Sequence, residues 1–220
     1  MFNLLFLTHS FGNDGDLASF FLSTARVRSI VRPGGRLSDV PDMIREAKEK
    51  FPDFRPHFVV LMIGDNDVLN ISPRSLSNRL IETMRSAVRS LEAREIWATY
   101  LFARGESRWT PNPLLFNARA SQVNEDLKHG LRPGLHVIRH QLAASSDRPK
   151  NERRVGTGLR GDNTHLNTNG FRMVLTSVRN QLMGAARRHG LEKRGVDRSR
   201  RLGDAQNPRR LGGEENPVLV

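Results

Sequence analysis

Phe58-Val59-Val60-Leu61-Met62-Ile63-Gly64-Asp65-Asn66-Asp67 is the stretch from which the fold of this chain can be read. Six apolar residues in a row, closed abruptly by a glycine and three polar residues, suit a strand buried on both faces, as strands of parallel sheets are. Runs of β-type character recur on either side at Leu4–Leu7, Val27–Val31, Ile96–Tyr100 and Leu135–Ile138. Helical patterns fill the intervals. Asp16–Thr24 carries Leu17, Phe20 and Phe21. Ser38–Lys50 carries Val40, Met43, Ile44 and Ala47, with Ser38 as the expected cap and Pro41 in the first turn. Ser75–Leu91 places Leu76, Leu80, Met84, Val88 and Leu91 at three- and four-residue spacing. Leu114–Leu131 and Thr168–Met183 repeat that spacing through Phe116, Ala120, Val123, Leu127 and through Phe171, Leu175, Val178, Leu182. Strand and helix alternate five times. The alternation predicts a flavodoxin-like α/β fold, a three-layer sandwich around a five-stranded parallel sheet in the order 2-1-3-4-5.

The chain has 220 residues, which suits one domain with an extension. Lys and Arg number 35 against 23 Asp and Glu, a formal net charge of +12 that favours anionic partners and is silent about fold. There are no cysteines, which excludes disulfides, thiolate metal sites and a cysteine nucleophile. No apolar run reaches the roughly 18 residues of a membrane span. Phe2–Leu7 lacks a basic flank and ends at Thr8-His9-Ser10, too early for a signal peptide. A soluble monomer of the cytoplasm or nucleus is the expectation. Gln141–Gly161 reads as a long polar loop, either a lid or a disordered segment. From Arg187 onward nine basic residues stand against five acidic ones, which predicts a disordered basic tail over 187–220 behind a folded domain of residues 1–186.

Ligand-binding residues of a doubly wound sheet lie just beyond the carboxyl ends of the strands. Four such places are polar: Thr8-His9-Ser10-Phe11-Gly12, Arg32-Pro33-Gly34-Gly35-Arg36, Gly64-Asp65-Asn66-Asp67, and Gly161-Asp162-Asn163-Thr164-His165-Leu166-Asn167 ahead of the last helix. Taken singly, Ser10 is a helix cap, Gly34-Gly35 a turn, Asn66 and Asp67 turn formers, and Asp162 with His165 a cap and a surface imidazole. Taken together they supply what acyl transfer needs: a hydroxyl nucleophile, a base, a carboxylate to orient the base and donors for an oxyanion. Strand order 2-1-3-4-5 sets the ends of strands 1 and 3 side by side with strand 2 flanking, so Ser10, Gly35 and Asn66 converge on one rim. A zinc site of His9, Asp162 and His165 would match on ligand type but leaves Gly64–Asp67 without a purpose.

This set resembles the SGNH, or GDSL-like, hydrolase superfamily, and the likeness runs from Leu4 to about Leu182. Gly64-Asp65-Asn66-Asp67 fits the family's G-x-N-D block, and Asp162-Asn163-Thr164-His165 fits D-x-x-H, with Leu166-Asn167 and Gly170 following in the usual way. Gly35 aligns with the family glycine. The first block departs, because the family's Gly-Asp-Ser stands here as Thr8-His9-Ser10; this form is similar to an SGNH subset found in uncharacterised invertebrate proteins and in the first reading frame of some retrotransposons. The resemblance implies a serine esterase, lipase or deacetylase that uses no cofactor and no metal. In it Ser10 is the nucleophile, His165 the base and Asp162 its orienting carboxylate. The Ser10 and Gly35 backbone N–H groups and the Asn66 amide form the oxyanion hole, while Gly64 and Asp67 support the loops and His9 makes local hydrogen bonds. The substrate would be a small-molecule, lipid or glycan ester. The alternative is a catalytically silent SGNH-like module that binds RNA or another polyanion, to which the net charge and the basic tail point.

Overall fold

A computed structural model describes residues 1–9, 14–144 and 164–191, with the side chains of residues 14–16 excepted. The elements follow the expected alternation: β1 (Phe2–Thr8), α1 (Asp14–Phe21), β2 (Ala25–Val31), α2 (Val40–Lys50), β3 (Phe58–Met62), α3 (Pro73–Leu91), β4 (Glu95–Thr99), α4 (Pro113–Gly130), β5 (Leu135–Ile138) and α5 (Thr168–Arg188). All strand pairings are parallel and the order is β2-β1-β3-β4-β5, as expected.

The pleat of the sheet divides the core into two layers. Leu5 and Leu7 of β1 and Val59 and Leu61 of β3 face one side, where α2, α3 and α4 close over them with Met43, Leu80, Met84, Phe116 and Val123. Leu4, Phe6, Phe58, Val60 and Met62 face the other, covered by α1 and α5 through Leu17, Phe21, Val174, Val178 and Leu182. Strands with both faces covered must be apolar at every position, which is why β3 is buried throughout.

The helix starts show where side chains, rather than apolar spacing, decide a boundary. Ser72 accepts from the Ser75 N–H, Asn112 from the Leu115 N–H and Asn167 from the Gly170 N–H, each satisfying an otherwise orphaned donor. Ser38 is not the cap of α2. A 3-10 turn at Leu37–Asp39 precedes that helix, and the Asp39 carboxylate accepts from the Arg36 N–H at 2.8 Å. The last helix runs through Arg188, and His189 and Leu191 still pack against the core, beyond the charge-based boundary at 186. Likewise Leu142 and Ala144, expected in a polar loop, are buried, and Ala144 N–H donates to Leu101 O at 2.9 Å. The rest of that loop and the basic tail fall outside the described residues, so the lid and polyanion readings do too. No helix of the described residues is long and apolar enough to cross a membrane.

At the amino-terminal edge of the sheet the buried Glu95 carboxylate gathers His189 at 2.8 Å, the Trp97 indole N–H at 3.0 Å and, at 3.5 Å, His136, whose ring stacks on Trp97. Burial lowers the pKa of His136 below 6.5, the Glu95 carboxylate opposing and Arg188 and His189 reinforcing the shift. Burial, together with Arg94, the amino terminus and His189, also lowers that of His57. A histidine held neutral in the fold takes up its proton more readily in the unfolded chain. Stability is therefore complete above the unfolded value near 6.5 and is lost as pH falls through it. The Tm should be lower at about pH 5.5 than at about pH 7.5. His136→Gln should narrow that gap; an equal gap in both proteins would contradict the account.

Candidate active site

The register of the sheet brings three chain segments together. Thr8 at the end of β1 lies opposite Val31 of β2 and Met62 of β3, so the residues that follow each strand emerge side by side. His9 continues this order, its N–H donating to Met62 O at 3.3 Å. The His9 imidazole is buried and its Nε2 lies 3.4 Å from Asp65 Oδ2. Asp65 Oδ1 accepts from the Phe102 N–H at 2.9 Å, so this carboxylate links the ends of β1, β3 and β4. Burial raises the pKa of Asp65, but the His9 hydrogen bond, the Arg104 and His9 charges and the Phe102 N–H outweigh it and hold the group below the usual carboxylate range.

Asn66 projects from the same turn and its amide is held at both ends. Its Nδ2 donates to Gly35 O at 3.1 Å, and its Oδ1 accepts from the Arg104 guanidinium at 3.2 Å. A guanidinium only donates, so the oxygen must face it and the orientation of the amide follows. One Nδ2 hydrogen is thus committed to Gly35, and the second has no partner among the described residues. The Gly35 N–H closes a turn onto Arg32 O at 2.8 Å. The oxyanion role expected of it therefore meets a hydrogen that is already bonded, and of the two groups only the Asn66 amide keeps one unengaged by the described residues. Gly35 has a steric reason to be glycine, because a Cβ there would stand 2.8 Å from Arg32 O. Asp67 Oδ2 accepts from the Leu37 N–H at 3.0 Å, tying the turn after β2 to the turn after β3. Burial raises the Asp67 pKa despite that bond.

Arg104 owes its place to α4. Asn117 accepts from the Arg104 N–H at 2.8 Å and donates to its carbonyl at 2.9 Å, while Asn124 does the same for Leu101 at 2.7 and 3.1 Å. These two buried amides clamp the segment after β4 onto the helix. The guanidinium then lies over the Phe116 ring, 4.7 Å from its centroid, and reaches Asn66.

Asp65, Asn66, Arg104 and Phe116 line one cleft of about 610 Å³ together with His165, Thr164, Gly34, Arg36, Arg108 and Trp109. Asn66 and His165, nearly one hundred residues apart, therefore face a common space. Ser10 and Asp162 lie outside the described residues, although His9 places the chain at this rim one residue before Ser10. Among the described residues no group of histidines and carboxylates could hold a metal ion. Asp65, Arg104, Arg108 and Trp109 were not legible as site residues. Asp65 occupies the variable position of its motif, and after β4 the stretch Tyr100-Leu101-Phe102-Ala103 separates the polar run that begins at Arg104 from the strand end.

Gly64 makes the turn after β3 possible. Its φ is 122°, and a Cβ would meet Leu101 Cδ2 at 3.2 Å and Leu80 Cδ1 at 3.4 Å. Gly64→Ala should lower the unfolding free energy by roughly 1–3 kcal/mol in urea titrations, the cost of a strained backbone conformation. An unchanged midpoint would refute this reading of the turn.

Neither a protein-family profile nor a curated protein sequence matches the chain. Solved structures do. The crystal structure described as TesA aligns at a TM-score of 0.51 and 19% identity, over 82% of this chain and 97% of the other. An acetyl xylan esterase, AlAXEase, gives 0.58 and 14% over 81% and 98%. The lipase/acylhydrolase from Enterococcus faecalis gives 0.57 and 14% over 84% and 97%. The strand order, the two helical layers and these alignments identify the chain as having the SGNH (GDSL-like) hydrolase fold.

Proposed function

We propose that this protein is a serine hydrolase of carboxylic esters. The observation that carries the reading is the shared cleft of Asn66 and His165, an oriented amide with one N–H unpartnered among the described residues, lining the same space as an imidazole. Esterases and lipases among the solved structures of this fold lend it support.

The chemistry follows from the residue types. Ser10 Oγ attacks the ester carbonyl carbon while His165 accepts the hydroxyl proton. The carbonyl oxygen becomes an oxyanion, toward which the Asn66 Nδ2 hydrogen and the Ser10 backbone N–H donate. Collapse of the tetrahedral adduct breaks the bond to the alcohol oxygen, which takes the proton from His165 and departs, leaving an acyl-serine. Water, deprotonated by His165, then attacks the acyl carbon and frees the acid and Ser10. Asp162 holds the imidazole in the tautomer this sequence requires. Arg104 is a positioning residue, because it fixes the Asn66 amide with the hydrogen outward. Gly35, through its carbonyl, performs the same service from the other side.

Hydrolysis of 4-nitrophenyl acetate and covalent labelling by a fluorophosphonate test the proposal together. Ser10→Ala and His165→Ala should abolish turnover, and Ser10→Ala should also abolish labelling. Asn66→Ala should lower kcat by a factor on the order of 10²–10³, the effect of removing one oxyanion donor. Turnover at the unsubstituted rate in Ser10→Ala would overturn the assignment.

A further inference from the structure

The cleft is one-sided in charge. Arg36, Arg104 and Arg108 line it, and the sole carboxylate among its described lining residues, Asp65, is already bonded by His9 and the Phe102 N–H. Arg104 is turned toward Asn66 and Phe116. Arg36 and Arg108 differ from it, because both are exposed and neither forms an ion pair with a described residue. The carboxylate of Asp67 acts on Arg36 through space without contacting it. Guanidinium pairs of this kind favour an anion in the space between them.

The second observation is the turn that carries Arg108. Ser107 and Thr110 form an antiparallel bridge, and Ser107 Oγ accepts from the Trp109 and Thr110 N–H groups at 3.3 and 3.1 Å. The same oxygen lies 2.6 Å from Thr164 Oγ1, next to His165 in sequence. The turn is thereby tied to the segment that holds the proposed base. At its tip Trp109 is 57% exposed, with the Arg108 guanidinium 4.5 Å from the ring centroid. An indole so exposed, bordering a cleft and carrying a guanidinium on its ring, offers a flat apolar wall with charge-assisted donors beside it.

We infer that the substrate is an ester bearing a second, anionic group, a carboxylate or phosphate, which Arg36 and Arg108 bind while Trp109 covers the apolar part between anion and ester. The inference rests on the ester-hydrolase reading above and narrows its substrate class. Three features work in the same direction: two exposed guanidinium groups without ion partners among the described residues, an Asp65 carboxylate whose oxygens are already taken up by His9 and the Phe102 N–H, and a tethered turn that holds Arg108 and Trp109 beside His165. Electrostatic attraction at a partly enclosed site raises the local concentration of an anionic ester, and salt weakens the effect.

The probes are 4-acetoxybenzoate and its neutral methyl ester, which share the acetyl group and the phenolic leaving group. The quantity read is the ratio of their kcat/KM values, since comparing that ratio between proteins cancels intrinsic reactivity. Arg36→Glu and Arg108→Glu should each lower the anionic-over-neutral ratio about tenfold. Arg26→Glu, of equal charge change but at the amino-terminal end of edge strand β2, should leave it unaltered. Raising NaCl from about 20 to about 200 mM should lower the wild-type ratio, as screening requires. Turnover of both esters with a ratio indifferent to Arg36 and Arg108, or an equal fall in Arg26→Glu, overturns this inference and leaves the hydrolase reading standing. Absence of turnover on both esters together with absence of fluorophosphonate labelling overturns the hydrolase reading, and the anionic specificity falls with it.

Discussion

The buried carboxylate of Asp65 is the joint on which the carboxyl rim of the sheet depends. A carboxylate removed from water is costly unless its oxygens find donors, and here both do. One oxygen meets the imidazole at the end of β1, the other the backbone N–H after β4. Because those partners come from different strands, satisfying the charge draws the strand ends together. The depressed pKa of Asp65 reflects the same arrangement: the donors outweigh burial, so the ionised form that needs them is the stable one.

From that joint the cleft is assembled by groups that hold one another rather than by any single loop. Asn66 leans on Gly35 and Arg104, Arg104 is clamped by Asn117 of α4, and Asp67 reaches back to the turn after β2. Each of these bonds crosses between segments that are distant in sequence. Preorganisation of this kind lets a donor face a developing charge without rearrangement, the condition for electrostatic catalysis. It also gives structural residues such as Asn117 an influence on the site that their distance from the cleft would not suggest.

Charge is distributed with the same economy. The chain as a whole carries +12, a property of solubility and of attraction to anions in general. In the cleft the excess is sharper, because its one described carboxylate is already bonded to His9 and the Phe102 N–H, while Arg36 and Arg108 form no ion pair with a described residue. The exposed Trp109 beside Arg108 adds an apolar surface to that field. Local field and local shape, more than net charge, are what distinguish one ester from another.

Much of the architecture was legible in the chain. The order of strands and helices, the parallel sheet and the positions of Gly64 and Asn66 at a strand end all follow from short apolar runs ending in glycine and polar residues. Periodicity is a local property, and doubly buried strands and amphipathic helices display it without reference to the rest of the molecule. Helix starts were less legible, since a 3-10 turn and Asp39 displaced the cap expected at Ser38, and buried Leu142 and Ala144 sat in a segment that composition alone read as loop. What tertiary structure alone decided is the pairing of His9 with Asp65, the hold of Arg104 on Asn66, and the meeting of His165 with Asn66 across one cleft. Those relations depend on strand register and on which residues face each other across 38 to about one hundred positions of chain, and no local pattern of residue types encodes a distance through space.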